Sequence, residues 1–394
     1  MKLHSWSVAA LAACALLACG GSLQAKQTGG SARTADEIDY EDLSQHELAT
    51  YNSARSGSSC STCSTGGGGL AGLMDRPIQL IFGAEYIYAK ANFSDALSYV
   101  EQDLIAGGET WHCFDFDYNS SYSFYGGVYL PDCGGAVIFD FTRLTSDART
   151  AANSTSTVNI FGPFEIDDNI EGFADVDLRT YDLSFAKTIP LGCPLECSGG
   201  KGCGDCCDDA CCSSCGDGCG CGWCPAWDIT WSAGVRFADV SWARGLTAFD
   251  PLNNNAVIDS YTTRMNFNNG FGGRVGLMGR RYFGRRGLAS LYARGDWSLL
   301  VGDVEIETLV TNQAGTAFHR RHCQQVIPVT EIELGGSIHL GQHATLSSGY
   351  FWAAWHDLGM SETYDFNPNF QMSHYDDANI LGFHGLFARV EVAF

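Results

Sequence analysis

The chain has 394 residues, with 45 Asp and Glu against 23 Lys and Arg and a formal net charge of −22. That balance argues against nucleic acid as a partner, since phosphate binding needs clustered cations. Beyond the N-terminus no apolar run reaches the roughly 20 residues of a transmembrane helix, but barrel strands give a much weaker hydropathy signal and stay open as a membrane solution.

Residues 1–25 carry the features of a secretory signal: Lys2, an apolar core from Val8 to Ala18, and the small-residue site Leu23-Gln24-Ala25. A competing reading is a lipoprotein signal, Leu16-Leu17-Ala18-Cys19, with Cys19 as the lipidation candidate. Either one exports the chain, so its cysteines meet an oxidising compartment. Residues 26–76 are polar and then Gly-rich, and are expected to form a linker on the periplasmic side. The Cys60-Ser-Thr-Cys63 pair within them points to a disulfide or free thiols more than to a redox centre.

A period of two begins near residue 77. Ile78, Leu80, Phe82, Ala84, Tyr86 and Tyr88 share one face, opposite Gln79, Gly83 and Glu85. Similar runs cover 121–130, 134–144 and 172–187. In the last, the polar residues Asp175, Asp177 and Arg179 lie on the face that turns apolar near Tyr181, and a bulge is expected there. In 226–243, Trp227, Ile229, Trp231, Ala233, Val235 and Phe237 oppose Asp228, Thr230, Ser232, Gly234 and Arg236.

In 262–280, Arg264, Asn266, Asn268 and Arg274 oppose Met265, Phe267, Val275 and Leu277. Runs at 288–303 and 325–341 place Arg294 and Asp296, then Glu331 and Glu333, opposite Trp297, Leu299, Ile332 and Leu334. After 344–358 the final strand sets Arg389 and Glu391 against Leu386, Val390 and Phe394. A soluble sandwich would put the charges outside. A membrane barrel puts the apolar face in lipid and the charges in its lumen.

The connections decide between these. They run long (92–120), short (131–133), long (145–171), then the Cys-rich insert, and afterwards long (244–261), short (281–287), long (304–324), short (342–343) and long (359–379). A transmembrane barrel has short periplasmic turns and long outer loops. The fold expected is therefore an all-β transmembrane antiparallel barrel of about ten strands over 77–394, or eight or twelve if the 92–171 region divides differently. It would sit in the outer membrane of a Gram-negative-type envelope.

The insert at 193–224 holds eleven of the eighteen cysteines: Cys193, Cys197, Cys203, Cys206, Cys207, Cys211, Cys212, Cys215, Cys219, Cys221 and Cys224. Disulfides are expected in an oxidising compartment. Metal capture by thiolates and cross-linking between chains are the alternatives. No regular metal-ligand spacing occurs, so neither a resident metal nor a cofactor is expected. His112 beside Cys113 lacks further ligands.

Pore-lining candidates are Glu85, Asp228, Arg236, Arg264, Arg274, Arg294, Asp296, Glu331, Glu333, Arg389 and Glu391. They can line a water-filled constriction for small hydrophilic solutes or ions. They can equally pair into a salt-bridged plug, leaving a structural or adhesive surface barrel. The loop at 92–120 contains six carboxylates (Asp95, Glu101, Asp103, Glu109, Asp115 and Asp117) and no Lys or Arg. No Gly-x-Ser-x-Gly or His-Glu-x-x-His motif occurs, and no enzymatic activity is expected. Expected partners are outer-membrane lipid, small solutes or ions, and further copies of the chain through cysteine cross-links.

The end Leu381-Gly-Phe-His-Gly-Leu-Phe-Ala-Arg-Val-Glu-Val-Ala-Phe394 resembles the pore-forming outer-membrane proteins related to the Legionella major outer membrane protein, as does Phe141-Thr-Arg-Leu144. That resemblance implies a porin-like outer-membrane barrel with no catalytic residues. It also implies that the barrel-assembly machinery reads Phe394. The insert and the polar N-terminal segment depart from the family pattern.

Overall fold

The computed structural model describes residues 79–394 apart from 95, 131–133, 156, 162–168, 192–225, 251–255, 284–286, 313–314, 341–342, 359–360, 365–371 and 377–378. The signal with Cys19, the linker with Cys60 and Cys63, and the cysteines of the insert lie outside the described residues.

The first strands are β1 (Gln79–Phe93), β2 (Leu97–Asp103), β3 (Glu109–Cys113), β4 (Asn119–Leu130), β5 (Gly135–Ala152), β6 (Val158–Phe161) and β7 (Asn169–Leu191). After the insert come β8 (Trp227–Asp250), β9 (Ala256–Phe283), β10 (Ala289–Asn312), β11 (Gly315–Leu340) and β12 (Ala344–Trp355). The chain ends with β13 (Ser361–Tyr364), β14 (Met372–Asp376) and β15 (Leu381–Ala393).

Ten of these strands form a closed antiparallel barrel, in the order β1-β15-β12-β11-β10-β9-β8-β7-β5-β4. Closure removes every sheet edge, so no row of unpaired backbone groups faces lipid. The remaining strands form a sheet β3-β2-β6 and a pair β13-β14 at the end of the barrel away from Phe394. That end is called distal below.

Several stretches expected as loops are strand. β8 runs 24 residues and β9 runs 28, so the expected loop at 244–261 shrinks to 251–255. β10 and β11 stay paired out to Asn312 opposite Gly315, which leaves almost nothing of the loop at 304–324. At about 3.3 Å per residue and about 40° of tilt, 24 residues rise about 60 Å, well beyond the about 25 Å apolar band of such barrels. More than half of the length of β7–β11 therefore stands outside a membrane.

The outer face changes chemistry at one register level. Phe141, Tyr181, Phe237, Phe271, Val301 and Val326 are consecutive partners across six strands, all pointing outward. Phe141 packs on Tyr181 at 4.9 Å between ring centroids, and Phe237 on Phe271 at 4.7 Å. One pleat further on, the outward residues are Arg143, Arg179, Asp239, Asp303 and Gln324. Aromatic rings followed by charge mark a membrane–water boundary.

The inner face changes in the opposite sense at the same level. Leu144, Leu178, Val240, Phe267 and Val304 are register partners that point inward, each at most 5% exposed. Val176, Trp242, Met265 and Ile306 form the next row. Phe114, Phe116, Ile160 and Leu358 from the distal connections pack against them. The distal half is thus an ordinary water-soluble barrel with an apolar core, continuous with a membrane half of inverse polarity.

This inversion corrects two expectations. Register runs unbroken through Tyr181 in both pairings of β7, so no bulge sits there. Asp175, Asp177 and Arg179 share the outward face with Tyr181, and only the surroundings change. The bulge lies in β9, where Ala238 pairs Gly270 and Val240 pairs Phe267 with an extra residue between. Asn269 takes φ 55, a left-handed conformation that Asn tolerates, and its N–H donates to Asp239 Oδ1 at 3.0 Å.

Candidate functional site

Regular alternation in the membrane half aims every second side chain into the lumen, where charge avoids lipid. The structure brings ten of the eleven pore-lining candidates there. The exception is Arg264, which points outward on the distal wall while its neighbour Met265 is fully buried. The added residue at Asn269 shifts the parity, so Arg264 and Arg274 occupy opposite faces although both positions are even.

The lumen is organised around Arg236, whose side chain is 2% exposed. Its guanidinium donates to Asp182 at 2.7 and 2.8 Å, and to Glu331 at 2.9 and 2.9 Å. Both contacts are bidentate, the geometry in which Arg holds carboxylates most firmly. Arg274 also reaches Asp182, and lies 3.2 Å from Glu331 and 3.3 Å from Asp296. Arg294 Nε completes the chain at 2.6 Å from Asp296. Gly276 leaves room for it, since a Cβ there would collide with Asp296.

A second group sits nearer the chain ends. Arg389 bridges Glu85 at 2.6 Å and Glu333 at 2.9 Å, and the Tyr292 hydroxyl donates to Glu333 at 2.5 Å. Tyr125 donates to Glu391 at 2.7 Å, with its ring lying where Gly83 has no side chain. Lower still, the Tyr282 hydroxyl donates to Asp228 at 2.6 Å. The charged residues therefore tie together strands that lie up to three places apart around the barrel.

Asp182, Asp140 and the three tyrosines were not among the sequence candidates. Asp140 and Asp182 were legible, because Ile138-Phe-Asp-Phe141 and Tyr181-Asp-Leu-Ser-Phe185 alternate with outward aromatics. The tyrosines gave no signal, since Tyr serves equally on a lipid-facing surface. A cavity of about 280 Å³ remains between the charged groups and the apolar core, lined in part by Ile87, Tyr125, Asp140, Arg294 and Glu333. Asp140 accepts hydrogen bonds there from Ser123 at 3.3 Å and Thr142 at 2.9 Å.

Phe394, the expected assembly signal, is 69% exposed and exchanges two backbone hydrogen bonds of 2.9 Å with Leu80. His112 stacks on Tyr99 at 4.4 Å and contacts Glu101 at 3.2 Å. Among the described residues no group of three or more potential metal ligands occurs.

The half of the chain after the insert carries the relationship. Residues 227–394 match the family model of the Legionella pneumophila major outer membrane protein precursor. Over that stretch the chain is similar to this family of outer-membrane proteins, and its own strands close a ten-stranded β-barrel. The match begins at Trp227, the first residue of β8, and so omits Phe141–Leu144. No curated protein matches the chain. Among solved structures, it is similar to the outer membrane protease OmpT from Escherichia coli at 9% identity, covering 80% of this chain and 96% of that one, with a TM-score of 0.33. It is also similar to the toluene transporter TodX of Pseudomonas putida at 10% identity, covering 82% and 94%, with a TM-score of 0.16. A Pseudomonas aeruginosa FadL homologue follows at 8% identity, covering 80% and 90%, with a TM-score of 0.21. The activities in those names belong to those proteins and do not bear on this barrel.

Just outside the aromatic row, Asp177 of the barrel receives both Arg143, at 2.9 Å, and Arg179, at 2.7 Å. Partial burial pushes its carboxyl up, but the two arginines outweigh this and hold it below the usual carboxylate range.

Proposed function

We propose that this outer-membrane barrel is closed and non-catalytic, and that it serves to hold its distal half and connections out at the cell surface. The observation that carries this is the inward row Leu144, Leu178, Val240, Phe267 and Val304, packed across the distal lumen. Apolar side chains packed this closely oppose a water path, and ions do not cross such a layer. Below it, the ion pairs of Arg236 and Arg389 fix strand register instead of lining an open channel.

A porin-like passage of small hydrophilic solutes or ions is the second reading. The polar cavity of about 280 Å³ at membrane depth favours it. It requires the apolar rows to part. Single-channel recording of the refolded barrel in a planar bilayer under a salt gradient separates the two. The closed reading expects a silent bilayer from protein shown to be folded by its electrophoretic heat shift. Stable conductance steps with a reversal potential would overturn it. Export by the N-terminal signal, and reading of Phe394 by the assembly machinery, belong to the same proposal.

A further inference from the structure

The distal sheet β3-β2-β6 presents an edge. Among the described residues β3 pairs only with β2, through Gln102 opposite Glu109 up to Leu97 opposite Cys113. Natural edge strands are blunted by Lys, Pro, bulges or cover. β3 reads Glu109-Thr-Trp-His-Cys113, with no Lys or Pro; a bulge at Ser98 of β2 breaks its ladder only at the Cys113 end, and all of β3 but His112 is exposed. Trp111 is 66% exposed, and Leu104 and Ile105 at the hairpin turn are 50% and 80% exposed.

The edge is held rigidly. Asp103 accepts hydrogen bonds from Ile105 N at 2.8 Å and Ala106 N at 3.0 Å, which closes the turn. Those two N–H groups hold its carboxyl below the usual range, so it keeps its charge. Phe114 and Phe116, just after β3, are buried in the apolar core and anchor the hairpin to the barrel. A strand presented this way loses little freedom when a further strand is added to it.

Charge selects the occupant. Glu101 and Glu109 stand on the paired strands, Asp103 closes their turn, and the sequence holds no Lys or Arg between Lys90, which pairs with Asp115, and Arg143. A second copy of the hairpin would bring the same charges together and be repelled.

We propose that β3 accepts an extended cationic polypeptide segment by strand addition, with Lys or Arg facing the carboxylates and an apolar side chain against Trp111. Backbone hydrogen bonds supply affinity in this mode, and alternate side chains supply selectivity. The inference deepens the surface-display reading and needs only that the distal end be exposed, so it stands or falls separately from the conductance result.

The test uses the full chain in nanodiscs of zwitterionic lipid and a labelled peptide, acetyl-Lys-Val-Lys-Val-Lys-Val-Lys-amide, followed by fluorescence anisotropy. Saturable binding is expected, weakened at least about tenfold by Trp111→Ala, by Glu109→Lys, and by N-methylating alternate amides of the peptide. Glu171→Lys, on the outer wall of β7, should leave it unchanged. Equal binding of the N-methylated peptide would mean bare charge attraction and overturn the proposal. So would absence of binding, or self-association of the chain that Trp111→Ala abolishes.

Discussion

Replacing Arg236 by Met tests the arrangement of the lumen most directly. Met keeps much of the volume and removes the charge. It cancels four hydrogen bonds at 2.7–2.9 Å and leaves Asp182, 3% exposed, and Glu331 with Arg274 as their remaining cation. Breaking a buried ion pair by deleting one partner costs about 3–5 kcal/mol, because the other charge stays buried. Two carboxylates are stranded here, but Arg274 offsets part of the loss, so about 3–4 kcal/mol is expected. Urea unfolding in lipid vesicles, followed by tryptophan fluorescence, reads this as a midpoint lowered by roughly 1–3 M. Arg236→Met combined with Asp182→Leu should recover at least about 1.5 kcal/mol relative to the sum of the single changes. A single variant within about 0.5 kcal/mol of the parent would refute the ion-pair account, since that is the range of ordinary surface substitutions.

Two more predictions address the switch in polarity. Leu277→Arg, on the lipid-facing side of β9, should cost about 2–4 kcal/mol in bilayer folding, whereas Asn266→Arg, on the same strand beyond the Asn269 bulge, should cost close to nothing. Equal costs would place both residues in one environment and refute the inversion. The depressed Asp177 carboxyl contributes stability that is present above the ordinary carboxylate range and lost as pH falls through its lower folded value. Protease resistance of the distal wall should therefore decline on acidification, and Asp177→Asn should flatten that decline. An unchanged pH profile in that variant would count against the pairing with Arg143 and Arg179.

The membrane half was legible because lipid contact demands a large apolar side chain at every second position. Trp227 to Phe237 satisfies that demand with only Ala233 small, and Leu291 to Val301 with Ala293 and Gly295 small. The distal half obeys the same period with the faces exchanged, and a search keyed to outward apolar residues reads Glu305 and Glu307 as loop. Their inward partners Val304 and Ile306 held the contrary signal. The β9 bulge had a local mark in Asn268-Asn-Gly270, a tripeptide that accepts positive φ, but carrying one parity across it put Arg264 on the wrong face. Which arginine meets which carboxylate was not legible. Arg236 and Glu331 are 95 residues apart and meet across the lumen, a consequence of closure and tilt that no local spacing records.

The paired rows Phe141-Tyr181-Phe237-Phe271 and Arg143-Arg179-Asp239 have a mechanical consequence. They act as a waterline painted on the hull. Sinking the barrel by one pleat, about 5 Å along the membrane normal, would immerse that ring of ionised groups in hydrocarbon. Raising it by the same step would bare a belt of aromatic rings to water. Either displacement meets a restoring force from each strand that carries these rows, so vertical play is small. Whatever the distal hairpins touch, they meet at a fixed height above the lipid.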